Sequence, residues 1–226
     1  MKKYLLLAAA ALVFLSSCHR HYTASSFESK SATHRLIAIM PAEMVFTGIQ
    51  PKKLKPEDIA AIEEKESLAF QQSLQNGILR QANTGRYQSS IQVQDISTTQ
   101  KLLNDAGISV RQSWTVDDRE LARILGVDAI VRMRIEKKRY MSDLASFGID
   151  MGRDILWQVT KKDPILTPGV TNKTNDIFAS CRLVSNGETL WNDTYDRSAD
   201  YSRPAENVIE DITNKFGKHF PYRKKK

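Results

Sequence analysis

Four histidines and two cysteines are the side chains in this sequence best suited to nucleophilic or metal chemistry, and their positions argue against it. His19, His21 and His34 lie near the amino terminus and His219 near the carboxyl end, so no histidine falls between Arg35 and Lys218. A nucleophile, its imidazole base and the group that orients the base must converge within hydrogen-bond reach. These positions are hard to assemble into such a set. The spacings His-Glu-x-x-His, Cys-x-x-Cys and Gly-x-Ser-x-Gly are missing, as is a glycine-rich phosphate loop. Two carboxylate pairs remain, Glu63 with Glu64 and Asp150 with Asp154, the second sharing a face if its stretch is helical. Paired acids can serve as acid and base, but exposed charged faces are the commoner use of such pairs. The inventory predicts a protein that is not an enzyme and holds no cofactor or metal.

One cysteine has a different chemistry. Lys2 and Lys3 precede an unbroken apolar run, Tyr4 to Leu15, which is too short for the roughly 20 residues a bilayer span needs. A basic start followed by a short apolar run is the pattern of an export signal. The run ends in Leu15-Ser16-Ser17-Cys18, which resembles the bacterial lipobox. There, two small residues fit the peptidase and the cysteine thiol receives the lipid. Residues 1–17 are therefore read as a signal peptide, and Cys18 as the mature amino terminus carrying a covalent diacylglycerol and an acyl chain. Two chains are needed because one gives only marginal anchoring. Cys181 is left without a partner and reads as a buried apolar residue. The residues after Cys18 are His19-Arg20-His21, with no acid. By resemblance to sorting rules of diderm bacteria, this favours the periplasmic face of the outer membrane, with surface exposure as the other possibility.

The chain has 226 residues, 41% hydrophobic and 26% charged, with formal charge +7. This is ordinary globular composition. The signal peptide carries two of the positive charges and the tail Arg223-Lys224-Lys225-Lys226 carries four, leaving the rest near +1. A nucleic-acid surface needs a basic face, and none is expected here. The membrane, through the lipid, and another envelope protein are the expected partners.

Residues 18–34 are polar and read as a lipidated tether, residues 35–222 as one α/β domain, and residues 223–226 as a solvated basic tail. Leu36 to Met40 is apolar at every position and stops at Pro41, which suits a strand buried on both faces. Thr47 to Lys55 reads as a loop. Pro56 opens a long helix to about Gln81, with Glu57 and Asp58 at its positive end and Glu66 interrupting its apolar stripe. The amino-terminal half of this helix is expected to bury little and to project. Tyr87 to Val93 is a second strand. A short helix capped at Ser97 or Thr98 and another from Thr115 to Gly126 follow. Val127 to Ile135 is a third strand, whose later half alternates apolar with Arg132 and Arg134, so that one face becomes exposed. Residues 137–173 form an insertion-like segment in which Met141, Leu144, Phe147, Met151 and Ile155 suit an amphipathic helix. Asn186-Gly187 is a strong turn signal between strands at 176–184 and 189–196, and a helix at 204–220 closes the chain. Helices between strands imply parallel pairs, and the hairpin adds antiparallel ones. The expected fold is a single-domain α/β sandwich with a mixed, roughly five-stranded sheet.

Three segments carry a family resemblance. Leu121 to Val131 resembles a helix–Gly–Val/Ala–Asp–strand signature, Arg182 to Trp191 a hairpin in which Gly-Glu leads into Leu-Trp, and Leu36 to Pro41 a first strand. Together they are similar to a group of bacterial envelope domains. That group includes the curli-secretion lipoprotein, lipoproteins that activate penicillin-binding proteins, and the amino-terminal domain of the Tol-system β-propeller protein. The resemblance implies a non-enzymatic outer-membrane lipoprotein whose domain binds or scaffolds another envelope component. A ring-forming secretion component is the alternative, with oligomerisation possible and an envelope enzyme less favoured. Partner contact is expected at Glu63 and Lys65 on the long helix, and at Met141, Phe147 and Trp157 in the insertion.

Overall fold

The computed structural model describes residues 21–49, 54–82, 85–139, 173–200 and 205–225. Its centre is the strand read from Leu36 to Met40. Ile37 and Ile39 enter one apolar cluster while Ala38 and Met40 enter another, so both faces are buried. This strand, β2 (Leu36–Ile39), runs parallel to β5 (Gln92–Val93) on one side and to β6 (Ala129–Arg139) on the other. At Pro41, which has no N–H to give, the ladder breaks. It resumes on the same neighbour as β3 (Glu43–Gly48), so Ile39 faces Val131 but Glu43 faces Arg134. The extra residue is taken up as a bulge. Thr47 and Gly48, read as loop, belong to this strand, and Gly48 ends it at φ 82°.

The hairpin is longer than its signals implied. β7 (Lys173–Ser185) and β8 (Glu188–Asp200) are joined by Asn186 and Gly187, both at positive φ. That is the turn whose twist matches paired strands. β7 adds antiparallel to β6, and the sheet runs β1 (Tyr22–Thr23)-β8-β7-β6-β2-β5, with β3 also on β6. The mixed α/β architecture expected from the sequence is present, with seven strands in the main sheet where about five were expected.

The additional edge strand is β1 (Tyr22–Thr23), paired with Asn192 and Trp191 of β8. It leads into α1 (Phe27–Ser31), whose Phe27 is buried against Tyr222. From Tyr22 onward, the stretch read as a tether is therefore part of the packed fold. An aromatic ring and a hydrogen-bonded strand outweigh its polar composition. The tail is similarly engaged: β9 (Arg223–Lys225) pairs with β4 (Tyr87–Ser89). The stretch Tyr87–Val93, read as one strand, is two. Ser89 Oγ donates to the Ile91 carbonyl and accepts from the Ile91 amide, turning the chain between β4 and β5.

One face of the sheet is covered by α2 (Pro56–Ala82) and α6 (Ala205–His219). They cross where Gly77 and Gly217 let the two backbones touch. The first half of α2 does not project. Ile62 is fully buried with Leu54, and Glu66 and Ser67 are buried beside β3. Glu66 breaks the apolar stripe because its carboxylate pairs with Lys137 Nζ from β6.

Among the described residues, the other face is covered only at one end. There α3 (Ile96–Asp105, capped by Asp95) and α5 (Asp118–Leu125, capped by Asp117 and ended by Gly126 at φ 66°) cover Ala38, Met40, Ile130 and Val184. Between them lies α4 (Val110–Ser113), a single turn with a capping box from Ser109 and Gln112 that the sequence reading passed over. No helix among the described residues is long and apolar enough to cross a membrane. The stretch Met141–Ile155 read as an amphipathic helix lies outside the described residues.

Candidate functional site: an arginine-lined face of the sheet

Beyond α3 and α5, the same face of the sheet carries further side chains, of which Arg132 lies under α4 and the start of α5. Pairing register sets them in rows. Arg132, Arg182 and Asn192 form the first row, and Glu43, Arg134, Ser180 and Thr194 the second. Val45, Glu136, Phe178 and Asp196 form the third. Alternation puts the intervening residues, Met133, Ile135, Ala179 and Cys181, into the core on the opposite face. Cys181 is fully buried, and that burial drives its thiol pKa strongly upward. Arg132 and Arg182 of the first row, Glu43, Arg134 and Ser180 of the second, with Pro41 and Met133, line a groove.

The three arginines are used differently. Arg132 is only 9% exposed. Its guanidinium donates to the Asp118 carboxylate and to the carbonyls of Ser113, Trp114 and Val116, pinning the α4–α5 connection onto the sheet. Arg134 is half-exposed and pairs with Glu43. Arg182 is exposed, and its side chain has neither an ion pair nor a hydrogen bond to any described residue. The groove is therefore an electropositive corner whose donors are held at fixed spacing by three hydrogen-bonded strands.

The sequence-predicted contact residues separate. Glu63 does not stand free on α2. Its half-buried carboxylate pairs with Arg111 of α4, which also reaches Glu64 at 3.4 Å and lies over the Trp114 ring at 5.1 Å. Burial pushes the Glu63 carboxyl pKa up, against the opposing pull of Arg111. Lys65, two positions beyond Glu63 on α2, is exposed. Met141, Phe147, Trp157 and Cys18 lie outside the described residues, as do Asp150 and Asp154.

The histidines behave in a way their spacing did not show. His34 Nε2 lies 3.1 Å from Ser185 Oγ, and His34 Nδ1 bonds the Tyr222 hydroxyl. The Ser185 hydroxyl donates to the Asp128 carbonyl at 2.9 Å. In the tautomer that satisfies this chain, Nε2–H donates to Ser185 and Tyr222 donates to Nδ1. Neither imidazole nitrogen bonds a carboxylate here, so the arrangement ties the amino-terminal segment, the hairpin and the carboxyl end together. Burial lowers the His34 pKa and raises that of Tyr222. Asp128, which opens β6, accepts from the amides of Arg35 and Leu36 at 2.7 and 3.0 Å, and these bonds hold its pKa below the usual carboxylate range. At the other histidine pair, His219 Nδ1 is 2.8 Å from the buried Asp193 carboxylate and His21 stacks on its ring. The described residues contain no cluster of His, Cys, Asp or Glu suited to a metal ion.

No family model matches the chain, and no curated protein sequence matches it. Several solved structures do. One is the PelC dodecamer from Paraburkholderia phytofirmans, with 9% identity, 88% of this chain and 93% of that chain covered, and TM-score 0.39. Another is lipoprotein GNA1162 from Neisseria meningitidis, with 11% identity, 77% and 87% covered, and TM-score 0.36. A third is the LpoB carboxyl-terminal domain from Salmonella enterica, with 10% identity, 74% and 84% covered, and TM-score 0.33. Identities and scores of this size assign the chain neither a family nor an activity.

Proposed function

We propose that this chain is a non-enzymatic envelope lipoprotein, held on the periplasmic face of the outer membrane by acyl chains on Cys18, whose α/β domain binds another envelope component. The observation that carries this reading is Leu15-Ser16-Ser17-Cys18, placed directly after a basic start and a short apolar run. The fold is consistent with it in a specific way. β1 begins at Tyr22, four residues after Cys18, and four residues reach at most about 14 Å. The lipid would therefore hold the domain close to the bilayer surface, with the β8 edge nearest the attachment point. The domain boundary is then better placed at about residue 21 than at 35, and the diacylglycerol and acyl chain are the only covalent groups the reading requires.

Fractionation of cells expressing the wild-type chain and Cys18→Ala tests the proposal. The wild type is expected in the outer-membrane fraction and released only by detergent. Cys18→Ala is expected to lose that attachment while keeping the circular dichroism and melting behaviour of the folded domain. Unchanged membrane retention of a folded Cys18→Ala protein would overturn the lipid anchor.

A further inference from the structure

We propose that Arg134, Ser180 and Arg182 form a binding site for a single carboxylate, presented by an acidic side chain of a protein partner. The inference deepens the partner-binding reading above and rests on it.

Register makes Arg132 and Arg182 direct cross-strand partners on one face, and Arg134 and Ser180 the next pair. Opposed side chains on a sheet are about 5 Å apart, and same-face neighbours along a strand about 7 Å. Two arginines and a hydroxyl therefore converge on a space the size of one carboxylate. Like charges directly opposite each other destabilise a sheet. Arg132 offsets this with Asp118 and three carbonyls, which also immobilise it. Arg182 has no such compensation among the described residues. An incoming anion would supply the missing counter-charge.

The neighbourhood selects the kind of anion. Arg134 already holds one carboxylate, that of Glu43, at the rim of the same groove, so the strand spacing accepts a carboxylate on guanidinium. The next row places Glu136 and Asp196 on either side of Phe178. Two acids at that distance repel a polyanion such as nucleic acid, polyphosphate or an anionic lipid surface. At the first two rows an isolated acidic side chain meets only the Glu43 carboxylate, whose charge Arg134 already offsets. Phe178 is 43% exposed and adjoins the groove, offering an apolar contact to a neighbouring residue of the same partner segment. An acidic residue next to an apolar one, on a protein surface, fits both features.

The test uses the full lipidated chain in detergent, labelled with nitrogen-15 at arginine. It is titrated with the capped peptide Ac-Phe-Ala-Glu-Ala-amide, with the same peptide carrying Gln for Glu, and with inorganic phosphate. The expected result is a saturable shift of the Arg134 and Arg182 side-chain signals with the Glu peptide and none with the Gln peptide. Arg182→Gln should weaken that binding by about tenfold, the loss of a charge-assisted hydrogen bond. Ser180→Ala should weaken it less. Unchanged circular dichroism and melting temperature in both variants would show that the sheet is intact. Equal response to the Gln peptide, shifts spread over all surface arginines, or tighter binding of phosphate than of the Glu peptide would each overturn the site. If a partner co-purifies equally with wild type and Arg182→Gln, the site is wrong while the partner-binding reading stands.

Discussion

The crossing of α2 and α6 offers a test of the fold in which two effects have opposite signs. Gly217 lies inside α6, where replacing glycine by alanine normally stabilises by about 1 kcal/mol. A Cβ at Gly217, however, would sit 2.7 Å from the Gly77 carbonyl oxygen, 2.8 Å from its carbon and 3.2 Å from the Ile78 nitrogen. All three are backbone atoms of α2, so no side chain can turn aside, and the helices must separate. Overpacking of this kind costs about 1–3 kcal/mol, and a backbone obstacle puts it at the upper end. After the helix-propensity gain, Gly217→Ala should destabilise by about 1–2 kcal/mol. For a domain of this size that lowers Tm by about 2–8 °C. Gly77→Ala meets the Thr213 carbonyl at 3.0 Å and should cost less, while Gly85→Ala, with nothing within 4 Å, serves as the control. Urea unfolding followed by circular dichroism measures all three. A Gly217→Ala protein more stable than wild type would refute the close crossing of the two helices.

Other consequences are equally specific. Lys137→Met should destabilise by about 3–5 kcal/mol because it leaves the Glu66 carboxylate, 2% exposed at its side chain, buried without its cation. The double variant Glu66→Leu with Lys137→Met should recover most of that loss, as measured by urea midpoints. Asp128 has a folded-state pKa below its unfolded value, so its stabilising effect is full above the ordinary carboxylate pKa and is lost as pH falls through the lowered one. Asp128→Asn should therefore be less stable at neutral pH and should show a shallower acid limb in melting curves. His34 has a lowered pKa, so the unfolded chain takes up its proton first and stability falls as pH drops below about 6.5. His34→Gln should reduce that slope. Cys181 is fully buried with its thiol pKa raised, and it should resist alkylation under native conditions and react at the rate of unfolding.

Much of the fold was legible because strong local signals agreed with the tertiary demand. The apolar run at Leu36 to Met40, the Asn186-Gly187 turn, Pro56 at the helix start and Gly126 at a helix end each became what their chemistry requires. The departures have physical causes that lie elsewhere in the chain. Glu66 looked like a flaw in the stripe of α2, because its cation is 71 residues away on β6. Residues 21–34 looked like a tether, because the edge of β8 and the ring of Tyr222 that receive them appear much later in the sequence. His34 and Ser185 meet only through the closing of the sheet.

The candidate site was half legible. The alternation at Arg132 and Arg134 announced an exposed face, which holds at Arg134 while Arg132 is buried under the α4–α5 connection, and Arg182 stood within the hairpin signature. Their assembly into one corner depends on the β6–β7 register, which no single strand encodes. The contact residues expected on α2 fared differently, since Glu63 spends its charge on Arg111 within the fold.

The central claim is that a lipid on Cys18 places this domain on a membrane to meet a partner. The most direct measurement is the intact mass of the protein extracted from membranes, with fragmentation of its amino-terminal peptide. The account predicts a chain lacking residues 1–17 and carrying a diacylglyceryl group and an amide-linked acyl chain on Cys18. A chain that begins at another residue, or an unmodified Cys18, would contradict it.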